Sequence, residues 1–286
     1  MRMFDRRSAL KGAAALAGMA AVGLPGLTEI AQAAPRQPGA PGRERSGAPA
    51  AASSGATASN VLLVHGAWAD GSSWSRVIPL LRAAGLHVVG VQLPMVSLAN
   101  DVAWVQHVLK DRLQGPTVLV GHSYGGAVIS GAGVGLSNVV SLAFVAAFAP
   151  AAGESLGALV SKYPPTPGLG AIATDSQGYF WIDPTQFPSV FAQDVDPITA
   201  NVMATVEKPF PGPIFGEPAG QPAWQTLPTW YMVATNDRMI QPDEERWMAG
   251  RMKATTVEVA SSHAAMVSHP VEVMQLILAA AGVVAS

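Results

Sequence analysis

The hexapeptide Gly121-His122-Ser123-Tyr124-Gly125-Gly126 constrains this chain more than any other feature. It follows an apolar, β-branched run (117–120) and precedes a run of helix-compatible residues (127–130). A serine between glycines at a strand-to-helix turn has a steric rationale. The serine takes a tight, strained conformation that lifts Oγ above a sheet, while Gly121 and Gly125 let neighbouring backbones pass close by. The helix beyond directs its N-terminal dipole toward negative charge developing at that point. The expected fold class is therefore α/β, with Ser123 as a candidate nucleophile.

The rest of the chain fits this architecture. Apolar runs at 61–64, 87–93, 117–120, 141–148, 229–234 and 255–260 predict six strands. Their near-continuous hydrophobicity predicts burial on both faces, as in a parallel sheet. Between them, 3.6-residue periodicity predicts helices over 73–84 and 101–113. Pro242 opens another helix at 242–252 with acids in its first turn, and 270–281 closes the chain. Strands alternating with helices imply right-handed βαβ units. Residues 151–227 interrupt the alternation with many Pro, Gly and aromatic residues, and a connection this long predicts a cap over a site.

The N-terminus carries a separate message. Arg6 and Arg7 precede an apolar stretch (12–24) and then Ala31-Gln32-Ala33, a small-x-small cleavage pattern. This layout predicts a twin-arginine-type signal over 1–33, a flexible linker over 34–58 and a folded domain over 59–286, with export to the periplasm or beyond. The apolar stretch is shorter than the ~20 residues of a spanning helix, and no cysteine follows it, so no stable membrane anchor is expected. The absence of cysteine also excludes disulfides and thiolate-bound zinc. A net charge of -2 gives no basic face for nucleic acid. No metal or other cofactor is expected, and the oligomeric state is open.

Two further sites fall at strand ends, where open α/β sheets gather their chemistry. Thr235-Asn236-Asp237-Arg238 places a carboxylate after the fifth strand, and Ser261-Ser262-His263 an imidazole after the sixth. Asp237 would hold the tautomer of His263, which would take the proton of Ser123; Glu154 and His269 are the rivals. The order Ser, Asp, His is the one this elbow demands. Backbone N–H groups of Tyr124 and Ala67, with Trp68 as the less favoured alternative to Ala67, would form the oxyanion hole. His65 and His122 are expected to support loops. Cap aromatics favour an uncharged apolar or aromatic small-molecule substrate, with Trp68, Trp181 and Trp224 as candidate contacts.

Read together, Val64-His65-Gly66-Ala67-Trp68-Ala69-Asp70-Gly71-Ser72-Ser73-Trp74, Gly121 to Gly126, Ala234-Thr235-Asn236-Asp237-Arg238 and Ser261 to Pro270 resemble the α/β-hydrolase superfamily. The likeness is greatest to small esterases of the methylesterase, salicylate-binding and hydroxynitrile-lyase branch and their bacterial relatives. It covers most of 60–284. It implies a mostly parallel six-stranded sheet with flanking helices and a cap, and a serine ester hydrolase working through an acyl-enzyme. The lyases of this branch carry a lysine beside the catalytic centre; here Arg238 follows the acid and Ala264 follows the histidine, which weakens a lyase reading, and Ser123 argues against the aspartate elbow of dehalogenases. A lactonase, a non-catalytic small-ligand receptor and a cofactor-free perhydrolase remain alternatives on the same fold.

Overall fold

The computed structural model describes residues 57–283. The predicted signal and all but the end of the predicted linker lie outside them. The linker's last residue, Ala58, is buried, and its N–H donates to the Ala281 carbonyl. The chain then enters the strand β1, Asn60–Val64, followed by helix α1, Ile78–Ala83, and strand β2, His87–Gly90. Helix α2, Leu98–Arg112, leads to β3, Thr117–Ser123, which runs directly into α3, Tyr124–Ala132, and then β4, Val139–Ala147.

The cap comes next. It comprises α4, Leu156–Val160; α5, Pro167–Gly170; β5, Ile172–Thr174; β6, Tyr179–Ile182; α6, Phe187–Val190; α7, Pro197–Thr205; and β7, Phe210–Pro211. Strand β8, Thr229–Ala234, returns to the main sheet. Helix α8, Pro242–Arg251, strand β9, Thr255–Val259, and helices α9, Ala265–Ser268, and α10, Pro270–Ala280, complete the domain.

The main sheet has six strands in the order β2-β1-β3-β4-β8-β9, all paired parallel. The chain moves outward from β1 to β2, then returns to the other side of β1 to lay down β3. Loops after β1 and β3 therefore diverge and leave a crevice at the carboxyl edge, the switch point of a doubly wound sheet. Helix pairs α2–α3 and α1–α10 flank the sheet. Strands β1 and β3 are buried along their whole length, as continuous apolar runs require.

Three local expectations need correction. The predicted helix over 73–84 is split into a 3-10 turn, Gly71–Trp74, and the short α1; Asp70 caps the turn by accepting the Ser72 N–H at 2.6 Å. Helix α2 begins three residues before the predicted 101, because the Ser97 side chain accepts the Asn100 N–H and caps it. Strand β9 is mostly exposed rather than buried on both faces. It is an edge strand, and its Glu258 pairs with Arg246 at 2.7 Å; charge on an edge discourages further strand pairing.

The cap also holds a three-stranded antiparallel sheet, β5-β6-β7, which periodicity did not predict. Trp68, in the loop after β1, donates its indole N–H to the Phe180 carbonyl of this small sheet at 3.0 Å. Cap and crevice are thereby joined directly.

Candidate active site

Ser123 sits at φ 52° and ψ -122°, a strained conformation for a residue with a Cβ. Such strain costs about 1–3 kcal/mol and persists only where its surroundings enforce it. Here they do. A Cβ on Gly125 would lie 2.6 Å from the Val64 carbonyl oxygen, so only glycine lets the first turn of α3 seat against the end of β1. Phe148 N–H donates to the Ser123 carbonyl at 3.1 Å and fixes the other side of the turn. A Cβ on Gly66 would fall 2.7 Å from Ser123 Cβ. The loop carrying Gly66 and Ala67 therefore lies directly against the serine. Ala67 and Tyr124 are both buried.

The acid and the imidazole converge beside this turn. His263 Nδ1 lies 2.5 Å from Asp237 Oδ2, and both side chains are almost wholly buried. Asp237 Oδ1 accepts the N–H groups of Met239 at 2.6 Å and Ile240 at 3.0 Å. Its charge is thus held by backbone donors on one oxygen and by the imidazole on the other. His263 Nε2 is buried and makes no hydrogen bond. The His263 ring packs edge-on against Phe191 at 4.8 Å and lies 4.6 Å from the ring of His122, the residue before Ser123. No hydrogen bond links Nε2 to Ser123 Oγ in this arrangement; such contacts tighten when substrate binds.

His122 and His65 do support loops. His122 Nε2 donates to the His263 carbonyl at 2.9 Å, so the residue preceding Ser123 props the histidine loop. His65 Nδ1 donates to the Gly66 carbonyl, while its Nε2 accepts the Leu93 N–H. Burial above all pushes His65 down to about 4 and His122 well below its ordinary value, so both fold neutral. The unfolded chain, with histidines near 6.5, then binds more protons, and stability falls as pH drops below about 6.5.

Glu244 and Glu207 act oppositely. Burial raises each to about 7, so the folded form keeps protons that the unfolded chain has shed, and stability falls as pH rises from about 4.5 to 7. Thermal unfolding should accordingly show its highest Tm between about pH 4.5 and 6.5. Scanning calorimetry across pH 4 to 8 checks this; a Tm climbing steadily to pH 8 contradicts it.

The rivals are occupied elsewhere. Glu154 pairs with Arg251 at 2.7 Å and accepts the Ala151 N–H. His269 Nδ1 shares a hydrogen bond with Ser268 Oγ and lies 3.6 Å from Asp194.

Of the three tryptophans expected at substrate, only Trp68 reaches the crevice loops. Trp181 donates to Asp175 on its own hairpin and is about a third exposed, and Trp224 donates to the Pro150 carbonyl beneath the Arg251 guanidinium. Both indole N–H groups are therefore taken by neighbouring protein acceptors. Phe210 was missed; it packs against Trp68 at 5.9 Å and against Tyr124 at 5.1 Å.

Asp101 was also missed, having been read as an ordinary helix residue. It is buried, and its carboxylate accepts the Tyr124 O–H at 2.7 Å and the Met95 N–H at 2.9 Å, tethering the residue after Ser123. Two adjacent cap residues hold the loops after β8 and β9. Gln193 Nε2 donates to the Asn236 carbonyl at 2.6 Å, and Asp194 accepts the Ser262 N–H at 2.8 Å. A polar cavity of about 360 Å³ beside them is lined by Gln193, Asp194, Asn236, Asp237, Arg238 and Ser262.

Known proteins bear on this constellation. The model of the alpha/beta hydrolase family matches residues 61–276. An alpha/beta hydrolase of Aspergillus novofumigatus is 26% identical over 242 residues, spanning 78% of this chain and 96% of its own. Methylesterase 2 of Arabidopsis thaliana is 25% identical over 224 residues, spanning 68% of this chain and 85% of its own. The crystal structure of a pyrethroid hydrolase from Sphingobium faniae has the same fold, with a TM-score of 0.68 at 23% identity over 79% of this chain and 98% of its own. With the elbow, the parallel sheet and the family match all in agreement, the chain belongs to the alpha/beta hydrolase family.

Proposed function

We propose that this hydrolase is a serine esterase acting on small apolar or aromatic carboxylic esters. The observation that carries the reading is the buried 2.5 Å contact of His263 Nδ1 with Asp237, seated beside a serine held at positive φ. A methylesterase and a pyrethroid hydrolase among its relatives support a small organic ester as substrate. The aromatic surroundings of His263 and Trp68 support an apolar one.

In this mechanism Asp237 keeps the proton of His263 on Nδ1, leaving Nε2 free to accept. Nε2 takes the Ser123 hydroxyl proton as Oγ bonds to the ester carbonyl carbon. The N–H groups of Ala67 and Tyr124 stabilise the oxyanion. Collapse breaks the carbon–alkoxy bond, and His263 returns its proton to the departing alcohol. Water, deprotonated by the same nitrogen, then attacks the acyl-serine, releasing the acid and restoring Ser123. We further propose, from the twin-arginine layout of 1–33, that the enzyme acts outside the cytoplasm.

Purified protein mixed with p-nitrophenyl butyrate should release p-nitrophenol in a burst stoichiometric with enzyme, provided that deacylation is the slower step. A fluorophosphonate should modify Ser123, read by peptide mass spectrometry. Modification at another residue, or no ester cleaved across aliphatic, aromatic and lactone substrates, would refute the proposal.

A further inference from the structure

One buried acid has no task in this mechanism. Glu245, on α8, has no solvent exposure. Its Oε2 accepts the Ala234 N–H at 3.0 Å, and its Oε1 has no donor. Its carboxyl group is in hydrogen-bonding contact with that of Asp237. Asp237 N–H donates to the Ala234 carbonyl at 3.0 Å, so the end of β8 holds both acids in one register.

Two carboxylates in contact away from water do not both ionise. The donors decide which keeps its proton. Asp237 is served by the N–H groups of Met239 and Ile240 and by His263 Nδ1, whereas Glu245 has the single Ala234 N–H. Among the described residues no cation pairs with Glu245. Lys162 and Arg251 act on its neighbour Glu244, which adds a further acid, and Tyr231 faces Glu245 from β8 as a neutral phenol. Burial foremost, and then the charge of Asp237, push the Glu245 carboxyl far above the usual range.

We infer that Glu245 is a neutral carboxylic acid that donates a hydrogen bond to Asp237, a positioning residue that adds a fourth member to the Ser123–His263–Asp237 relay and restrains the basicity of His263. The assignment rests on the serine-esterase reading. Its physical basis is competition for charge. The bond from Glu245 is strongest while His263 is neutral, because an imidazolium draws on the same carboxylate. Glu245 therefore favours the unprotonated base and extends activity toward acid pH.

The test is the acid limb of kcat/KM for p-nitrophenyl butyrate, normalised to the Ser123 sites that fluorophosphonate titrates. Glutamine at 245 keeps both functions, its amide oxygen accepting from Ala234 and its NH₂ donating to Asp237. E245Q should leave the limb at its wild-type position. E245L removes the donor and should raise the limb by about one pH unit, roughly a tenfold loss of kcat/KM on its acid side. An unmoved limb in E245L overturns the inference. So does a limb lowered by about a unit in E245Q, the result expected if an ionised Glu245 had been neutralised. Should E245L not fold, the position of the limb in E245Q decides alone. An active Ser123→Ala variant would instead overturn the serine-esterase reading itself, so the two failures are distinguishable.

Discussion

Replacing Ser123 by alanine should lower kcat for ester hydrolysis by about six powers of ten, roughly 8 kcal/mol of barrier. The loss is this large because every step after binding passes through Oγ. His263 has no proton to take without it, and the Ala67 and Tyr124 N–H groups meet no tetrahedral adduct. The fold should survive the change. Gly125, Gly66 and the Phe148 N–H impose the turn through backbone contacts, and alanine leaves all three in place. Residual rate, the p-nitrophenol burst and the circular dichroism spectrum are the measurements. A folded variant retaining more than about one hundredth of the wild-type rate would remove Ser123 as the nucleophile.

Asp237→Asn should cost about four powers of ten in kcat with little change in KM. The geometry explains why a single oxygen-to-nitrogen change does so much. The Met239 and Ile240 N–H groups claim an acceptor, so the asparagine carbonyl turns toward them and its NH₂ toward His263. An amide donor facing Nδ1 moves the imidazole proton to Nε2, the nitrogen that must accept from Ser123. The change alters the imidazole's tautomer and removes no group proposed to touch the substrate, which is why kcat rather than KM carries the loss. Steady-state kinetics at pH 7 measures the split. A drop below tenfold would show that Asp237 does not set the tautomer.

Much of this was legible in the chain because it is written locally. The apolar runs marked all six strands of the main sheet, and glycines around Ser123 marked a turn whose steric need the packing at Val64 and Ser123 bears out. The spacing of Asp237 and His263 after their strands put both on the same carboxyl edge. What escaped is tertiary. Strand β9 carries β-branched residues like an interior strand, and only its place at the sheet edge leaves it exposed.

Cap helices such as Leu156–Val160 are too short to show a 3.6-residue period, and strands of two to four residues too short to show alternation. Asp101 and Glu245 look like ordinary acids on amphipathic helices. Their importance comes from the Tyr124 hydroxyl and the Asp237 carboxyl that folding brings against them.

The Trp68–Phe180 hydrogen bond bears on how such enzymes diversify. The strap from β1 that presents Ala67 is fastened to the insert's small sheet, and Gln193 and Asp194 fasten the other two loops to the same insert. A graft of 148–228 from a homologue would exchange the fastenings together with the specificity surface. New preferences should therefore arise more readily by point changes within the insert than by wholesale replacement, unless the donor brings a carbonyl, an amide and a carboxylate to the same three anchor points.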